Sequence, residues 1–112
     1  MRDDRELLRD VLEAIERIEK HTGRGRQAFE SDDLIQTYAV HHILILGEAC
    51  RSVSAELKQS HPEVSWKKIV GMRHILVHHY FEIDTDVVWS AIEKELPILK
   101  RDLAQILGEL ER

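Results

Sequence analysis

Residues 88–110, VWSAIEKELPILKRDLAQILGEL, decide the fold. Val88 or Trp89, Ile92, Leu96, Leu99, Leu103, Ile106 and Leu110 recur at steps of three and four, the spacing that lines one face of an α-helix. Asp84 or Thr85 stands where a side-chain oxygen can cap its first turn. Pro97 lies inside the run and lacks a backbone N–H, so the pattern predicts a kink between Glu93 and Pro97, or a break into two helices.

The same period recurs upstream. Leu8, Val11, Leu12, Ile15 and Ile18 define a first helix from about Asp4 to Lys20, with Glu13 and Arg17 paired on its outer face. HTGRGRQ ends it, because Gly23 and Gly25 release the backbone. A second helix is expected from a Ser31 cap to about Leu57. Its stripe is Ile35, Tyr38, Ala39, His42, Ile45, Leu46, Ala49 and Val53. KQSHPEVS is a loop, and Ser65 can cap a third helix from Trp66 to about Val77. Gly71 weakens that helix by about 1 kcal/mol relative to Ala, which suits a point where another helix or backbone comes close. FEID then connects to the last helix. Four helices on short connections predict an all-α antiparallel four-helix bundle, read as a single domain over 1–112.

Composition agrees and narrows the function. The chain has 112 residues, 43% of them hydrophobic, with 5 Gly and 2 Pro, too few turn formers for an all-β fold. Cys50 is alone, so an internal disulfide is impossible; the expected place is buried in the core. MRDDRELLRD has no apolar signal core, and no run approaches the ~20 apolar residues that span a bilayer, so a soluble cytoplasmic protein with no membrane role is expected. Net charge of −5 argues against general nucleic-acid binding. Yet residues 64–81 contain Lys67, Lys68 and Arg73 and no Asp or Glu, so this window is +3 and the rest −8. That is a focused anion site or a chance cluster.

Residues 73–81, RHILVHHYF, sit in that window. His74 and His78 are four apart, as helical zinc motifs require, but Ile75 stands where a zincin places glutamate. No carboxylate in the window could neutralise a dication, and Arg73 would repel one. No metal site is expected. His41 and His42 form another pair, of which one must point near the core of the second helix as a hydrogen-bonded interface histidine. His21 and His61 read as loop residues. Arg73, His78 and Tyr80 suggest different chemistry. A guanidinium fork fits phosphate, and an imidazole exchanges a proton near neutrality. RNA brings its own nucleophile, the 2′-hydroxyl, so Arg plus His suffices for its transesterification. Five residues turn an ideal helix through about 500°, or about 140° net, so Arg73 and His78 do not share a face. They converge if the helix ends near His78, or if a second copy completes the site across a two-fold axis. On these residues alone, a solvated helix end carrying incidental histidines also stands.

Arg73-x4-His78-x-Tyr80 resembles the R-x4–6-H motif of HEPN domains, in the form found in HepT-like toxins. The resemblance extends in order through MRDDRELLRDVLEAIERIEKHT, the IxxLGEAxRxVSxEL pattern of Ile43 to Leu57, HPEVSWKKIVGMRHILVHHYFEID and the ExELPxLK pattern of Glu93 to Lys100. It implies a helical bundle that forms a homodimer with both motifs facing one cleft. It also implies the toxin of a type II toxin–antitoxin pair, a metal-independent endoribonuclease acting on RNA, tRNA first among candidates. Arg73 would then hold the scissile phosphate and His78 act as acid or base, leaving a 2′,3′-cyclic phosphate, with no cofactor required. Tyr80 would correspond to the tyrosine that the partner antitoxin, a minimal nucleotidyltransferase (MntA-like), modifies with AMP. His74, His79, Lys67 and Lys68 would support the site. The chain departs from the family pattern where His74 and His79 replace acidic or amide residues and Glu82 replaces a small one. The alternative is a non-catalytic helical partner of the nucleotidyltransferase.

Overall fold

The computed structural model describes residues 3–77 and 83–112, with backbone alone for 73–77. Among them, α1 (Asp4–Thr22), α3 (Asp33–Ser52), α5 (Trp66–Val77) and α7 (Leu96–Leu110) are the long helices, and α2 (Arg26–Glu30), α4 (Ala55–Ser60) and α6 (Thr85–Ser90) are short. A π-helical turn, Ala91–Glu95, joins α6 to α7. The architecture is the expected all-α bundle, with α3 packed between α1 and α5 and with α7 against α1.

Asp3 caps α1, its carboxylate accepting from the Arg5 N–H at 2.8 Å. The helix buries Leu7, Leu8, Val11, Ala14, Ile15 and Ile18. It continues past Lys20 because the Thr22 hydroxyl donates back to the Ile18 carbonyl at 2.8 Å. His21 therefore lies in its last turn, not in a loop, with its ring centroid 4.6 Å from that of Tyr38 in an edge-on arrangement. His61 does lie between helices, its Nδ1 3.1 Å from a Glu63 carboxylate oxygen. Gly25, at φ 100°, makes the turn that only glycine takes without strain, and α2 follows within the segment read as a simple break. Ser31 ends α2, its hydroxyl 3.1 Å from the Gln27 carbonyl oxygen, and Asp32 is the α3 cap, accepting from Leu34 and Ile35 N–H groups.

α3 buries more than the expected stripe. Ile43 and Cys50 are 1% and 0% exposed, while Ile45, expected inside, is 40% exposed. A helix with neighbours on two sides buries a wide arc, and a single-stripe pattern misplaces its centre. His42 is buried, its Nδ1 2.9 Å from the Tyr38 carbonyl oxygen, and His41 is exposed, which is the expected division. α3 stops at Ser52, short of Leu57. Val53 turns extended and stays buried, and the Ser54 hydroxyl accepts from Leu57 N–H at 3.2 Å to start α4. That hydroxyl also donates to Asp4 at 2.6 Å, tying α4 to the start of α1.

Asp84 caps α6 through the Asp86 and Val87 N–H groups. The expected disturbance before Pro97 takes the form of the π turn. Leu96 N–H reaches Ala91 O, five residues back rather than four. In an α-helix the Pro97 ring would strike the Glu93 carbonyl, and widening the preceding turn relieves that contact. Val88, Trp89, Leu96, Leu99, Leu103 and Ile106 still face the core, whereas Leu110 is 38% exposed. Each fully buried Leu or Ile contributes on the order of 1.5–3 kcal/mol.

Cys50 fills the core, and burial pushes its thiol up to about 12. A thiol reagent at mildly alkaline pH should leave the native protein unlabelled and label it once unfolded. An acid whose folded pKa is raised binds its proton more tightly in the folded state. Cys50 therefore makes folding less favourable as pH climbs above its ordinary value of 9.0, and urea midpoints measured across that range should fall. Native labelling as fast as that of the unfolded chain would contradict the burial. Among the described residues, no helix is long and apolar enough to cross a membrane.

Candidate active site

α5 carries the candidate site at its C-terminal end. Trp66 and Ile69 are buried and seat the helix, and the Trp66 indole N–H donates to the His61 carbonyl at 3.0 Å. Arg73 and His74 fall within the last turns of α5, where the backbone alone is described. His78, His79, Tyr80 and Glu82 lie outside the described residues.

The two supporting lysines diverge. Lys68 meets Glu95 of the π turn at 2.8 Å, so its charge is shared with that turn. It borders a recess of about 340 Å³ that also includes Met72, Asp86, Val87, Ser90, Ala91 and Glu95, a surface of mixed sign. Lys67 is exposed on the other flank and has no ion-pair partner among the described residues. It borders a groove of about 420 Å³ with Arg51, Lys58, Trp66, Val70 and Gly71. A further recess of about 530 Å³ continues past Lys58 and Lys67 toward Pro62 and Ser65. Arg51 is held by Glu48 at 2.6 Å, and Lys58 donates to the Arg51 carbonyl at 3.0 Å. The Glu48 hydrogen bond and charge hold the Arg51 guanidinium above its ordinary value, so it stays a cation throughout.

Gly71 reverses an expectation. No described atom lies within 4 Å of where its Cβ would stand, so no neighbouring helix requires glycine there. Arg51 and Lys58 were also missed from the sequence. They lie on opposite sides of the Val53 break, which a continuous helix did not reveal. The 20-residue α3 holds another polar cluster, in which the Tyr38 ring stands 4.2 Å from His42 beside Arg17 and Glu13. Among the described residues, no three His, Cys, Asp or Glu side chains converge as a metal site would need.

A helical bundle in a chain that carries Arg73-x4-His78-x-Tyr80 in its sequence is HEPN-like. Residues 11–106 match the family described as Ribonuclease HepT-like, and the chain belongs to that family. It is similar to the "Probable ribonuclease HepT" of Thermococcus cleftensis, 34% identical over 100 residues, which covers 88% of this chain and 91% of that one. It is similar to a "Putative RNase" of Caldanaerobacter subterraneus subsp. tengcongensis, 33% identical over 108 residues and 96% of each chain. A "Gamma-glutamylcyclotransferase and putative RNase" of Methanocaldococcus jannaschii is 32% identical over all of this chain but only 51% of its own, so the chain spans about half that relative's length. No solved structure gives a significant match.

Proposed function

We propose that the chain is a metal-independent endoribonuclease, the toxin of a type II toxin–antitoxin pair, with Arg73 and His78 as its catalytic residues. The observation that carries this reading is the sequence motif Arg73-x4-His78-x-Tyr80, in an acid-free basic window, on a chain of the HepT-like ribonuclease family. Relatives named as ribonucleases support the activity.

Arg73 binds the scissile phosphate and offsets the charge of the phosphorane. A neutral imidazole of His78 takes the 2′-hydroxyl proton as that oxygen attacks phosphorus. The bond to the 5′ oxygen breaks, and a protonated imidazole supplies its proton. The products are a 2′,3′-cyclic phosphate and a 5′-hydroxyl. In a homodimer the two His78 residues divide the base and acid roles across the two-fold axis. Lys67, Lys68, His74 and His79 add positive or proton-exchanging groups nearby. The chemistry uses no cofactor, and tRNA is the first substrate to assay.

Tyr80 is the off-switch in this reading. Transfer of AMP to its hydroxyl by a nucleotidyltransferase antitoxin (MntA-like), with pyrophosphate leaving from ATP, adds bulk and negative charge beside the catalytic pair and repels RNA phosphate. Protein produced alone and treated with chelator should cleave RNA to fragments ending in cyclic phosphate. Protein produced with its partner should gain the mass of one AMP and lose cleavage, and Tyr80→Phe should gain no mass. If Tyr80→Phe is still modified, the switch lies elsewhere. If wild type with unmodified Tyr80 leaves RNA intact, the nuclease reading fails and the non-catalytic partner of the nucleotidyltransferase takes its place.

A further inference from the structure

We propose that the groove between α4 and α5 is the bed on which a single RNA strand lies as it approaches Arg73, with Arg51, Lys58 and Lys67 as phosphate contacts and Gly71 keeping its floor open. The identity of the polyanion rests on the ribonuclease reading; the groove itself rests on three observations.

The first is charge. The chain is net −5, yet the groove is bordered by three cations and no carboxylate is in its lining, although Glu48 beside it shares the charge of Arg51 at 2.6 Å. Lys67 has no described ion-pair partner, and Lys58 is fixed on the Arg51 carbonyl. The second is Gly71. Glycine is the poorest helix former after proline, and nothing among the described residues packs where its side chain would be. The described residues leave its face of α5 open to a ligand. The third is register. Lys67 and Gly71 are one turn apart on one face of α5, and Arg73 lies about 9 Å further along the axis than Lys67 but about 120° around it, so a strand leaving the groove crosses the end of α5, over roughly three nucleotides, to reach Arg73. Trp66 and Val70 complete an apolar floor for sugar and base. A second copy of the chain fits poorly here, because a two-fold contact would set these cations against themselves.

Binding is read with a fluorescent 2′-O-methyl RNA of roughly 12 nucleotides, which lacks the nucleophile, so that affinity is measured apart from cleavage. Anisotropy across a salt series should give a log–log slope of about −2 for wild type, as about three strand phosphates would. Lys58→Glu and Lys67→Glu should each weaken binding at least about tenfold and flatten the slope. The charge-matched Lys20→Glu, at the end of α1, should not. Gly71→Gln fills the floor without changing charge; it should weaken binding while its melting temperature holds or rises, which separates a blocked groove from a damaged fold. Affinity unchanged in all three groove variants overturns the proposal. So does unchanged affinity with an altered sedimentation mass, which would assign the groove to contact between copies. Cleavage of ordinary RNA is assayed in parallel. Groove-dependent binding without cleavage would remove the nuclease reading and leave the groove, whereas normal cleavage by the groove variants would do the reverse.

Discussion

Arg73→Ala and His78→Ala proteins should cleave RNA about 10²–10³-fold and 10²–10⁴-fold more slowly than wild type, respectively. The expected losses differ in kind. Removing Arg73 takes away a cation whose interaction grows as the phosphorane gains charge, so the turnover rate should fall more than substrate affinity. Arg73→Lys keeps the charge and loses the planar fork, and should recover part of the rate. Removing His78 takes away proton transfer, so the surviving activity should lose the pH dependence that a titrating imidazole imposes. Because both act on one transition state, the double variant should be little worse than the poorer single. Initial rates on a labelled RNA, with cyclic phosphate scored at the new 3′ end, measure all four. Circular dichroism establishes that each variant is folded. A folded His78→Ala protein that cleaves at the wild-type rate and with the wild-type pH profile would remove His78 from the mechanism.

Parts of the molecule that depend on local pattern were legible in the sequence. The α7 stripe, the α1 stripe, the Asp84 cap and the span of α5 follow from periodicity and one side-chain oxygen each. What escaped depends on neighbours. Leu57 continues the apolar spacing of α3, but the Ser54 hydroxyl is claimed by Leu57 N–H and by Asp4, fifty residues away, and the helix restarts there. Gly71 looked like a packing glycine, and only the arrangement of α4 beside α5 leaves it facing an open groove. The candidate site divides similarly. Its chemistry is legible because Arg, His and Tyr at fixed spacing belong to one short segment. The cations that would guide a strand toward it come from α3, α4 and α5, and no local pattern joins them.

Phe29→Ala should lower the stability by about 3–5 kcal/mol, although Phe29 belongs to a five-residue helix that sequence periodicity did not reveal. A helix this short has no independent stability, since its nucleation cost is not recovered over one turn. Phe29 supplies what holds it. Its ring is 1% exposed and stands 5.4 Å from Trp89 of α6, tilted by 43°. Gln36 adds the second anchor, its side-chain amide donating to the Phe29 and Glu30 carbonyls at 3.0 and 3.1 Å. Truncation to Ala leaves a cavity among α2, α3 and α6 that the pinned backbone cannot readily close. At this chain length the melting temperature should fall by roughly 15–25 °C, a large share of the margin such domains possess. Arg26→Ala provides the contrast. It removes ion pairs to Glu30 and Asp86 from the same helix, but Arg26 and Asp86 are 49% and 79% exposed, and solvent screening keeps the cost far smaller than that of losing the buried ring. Urea unfolding followed by tryptophan fluorescence separates the two, with the Phe29→Ala midpoint displaced at an unchanged slope. Equal midpoints for the two variants would mean that surface charge, rather than the buried ring, fastens α2 to the bundle.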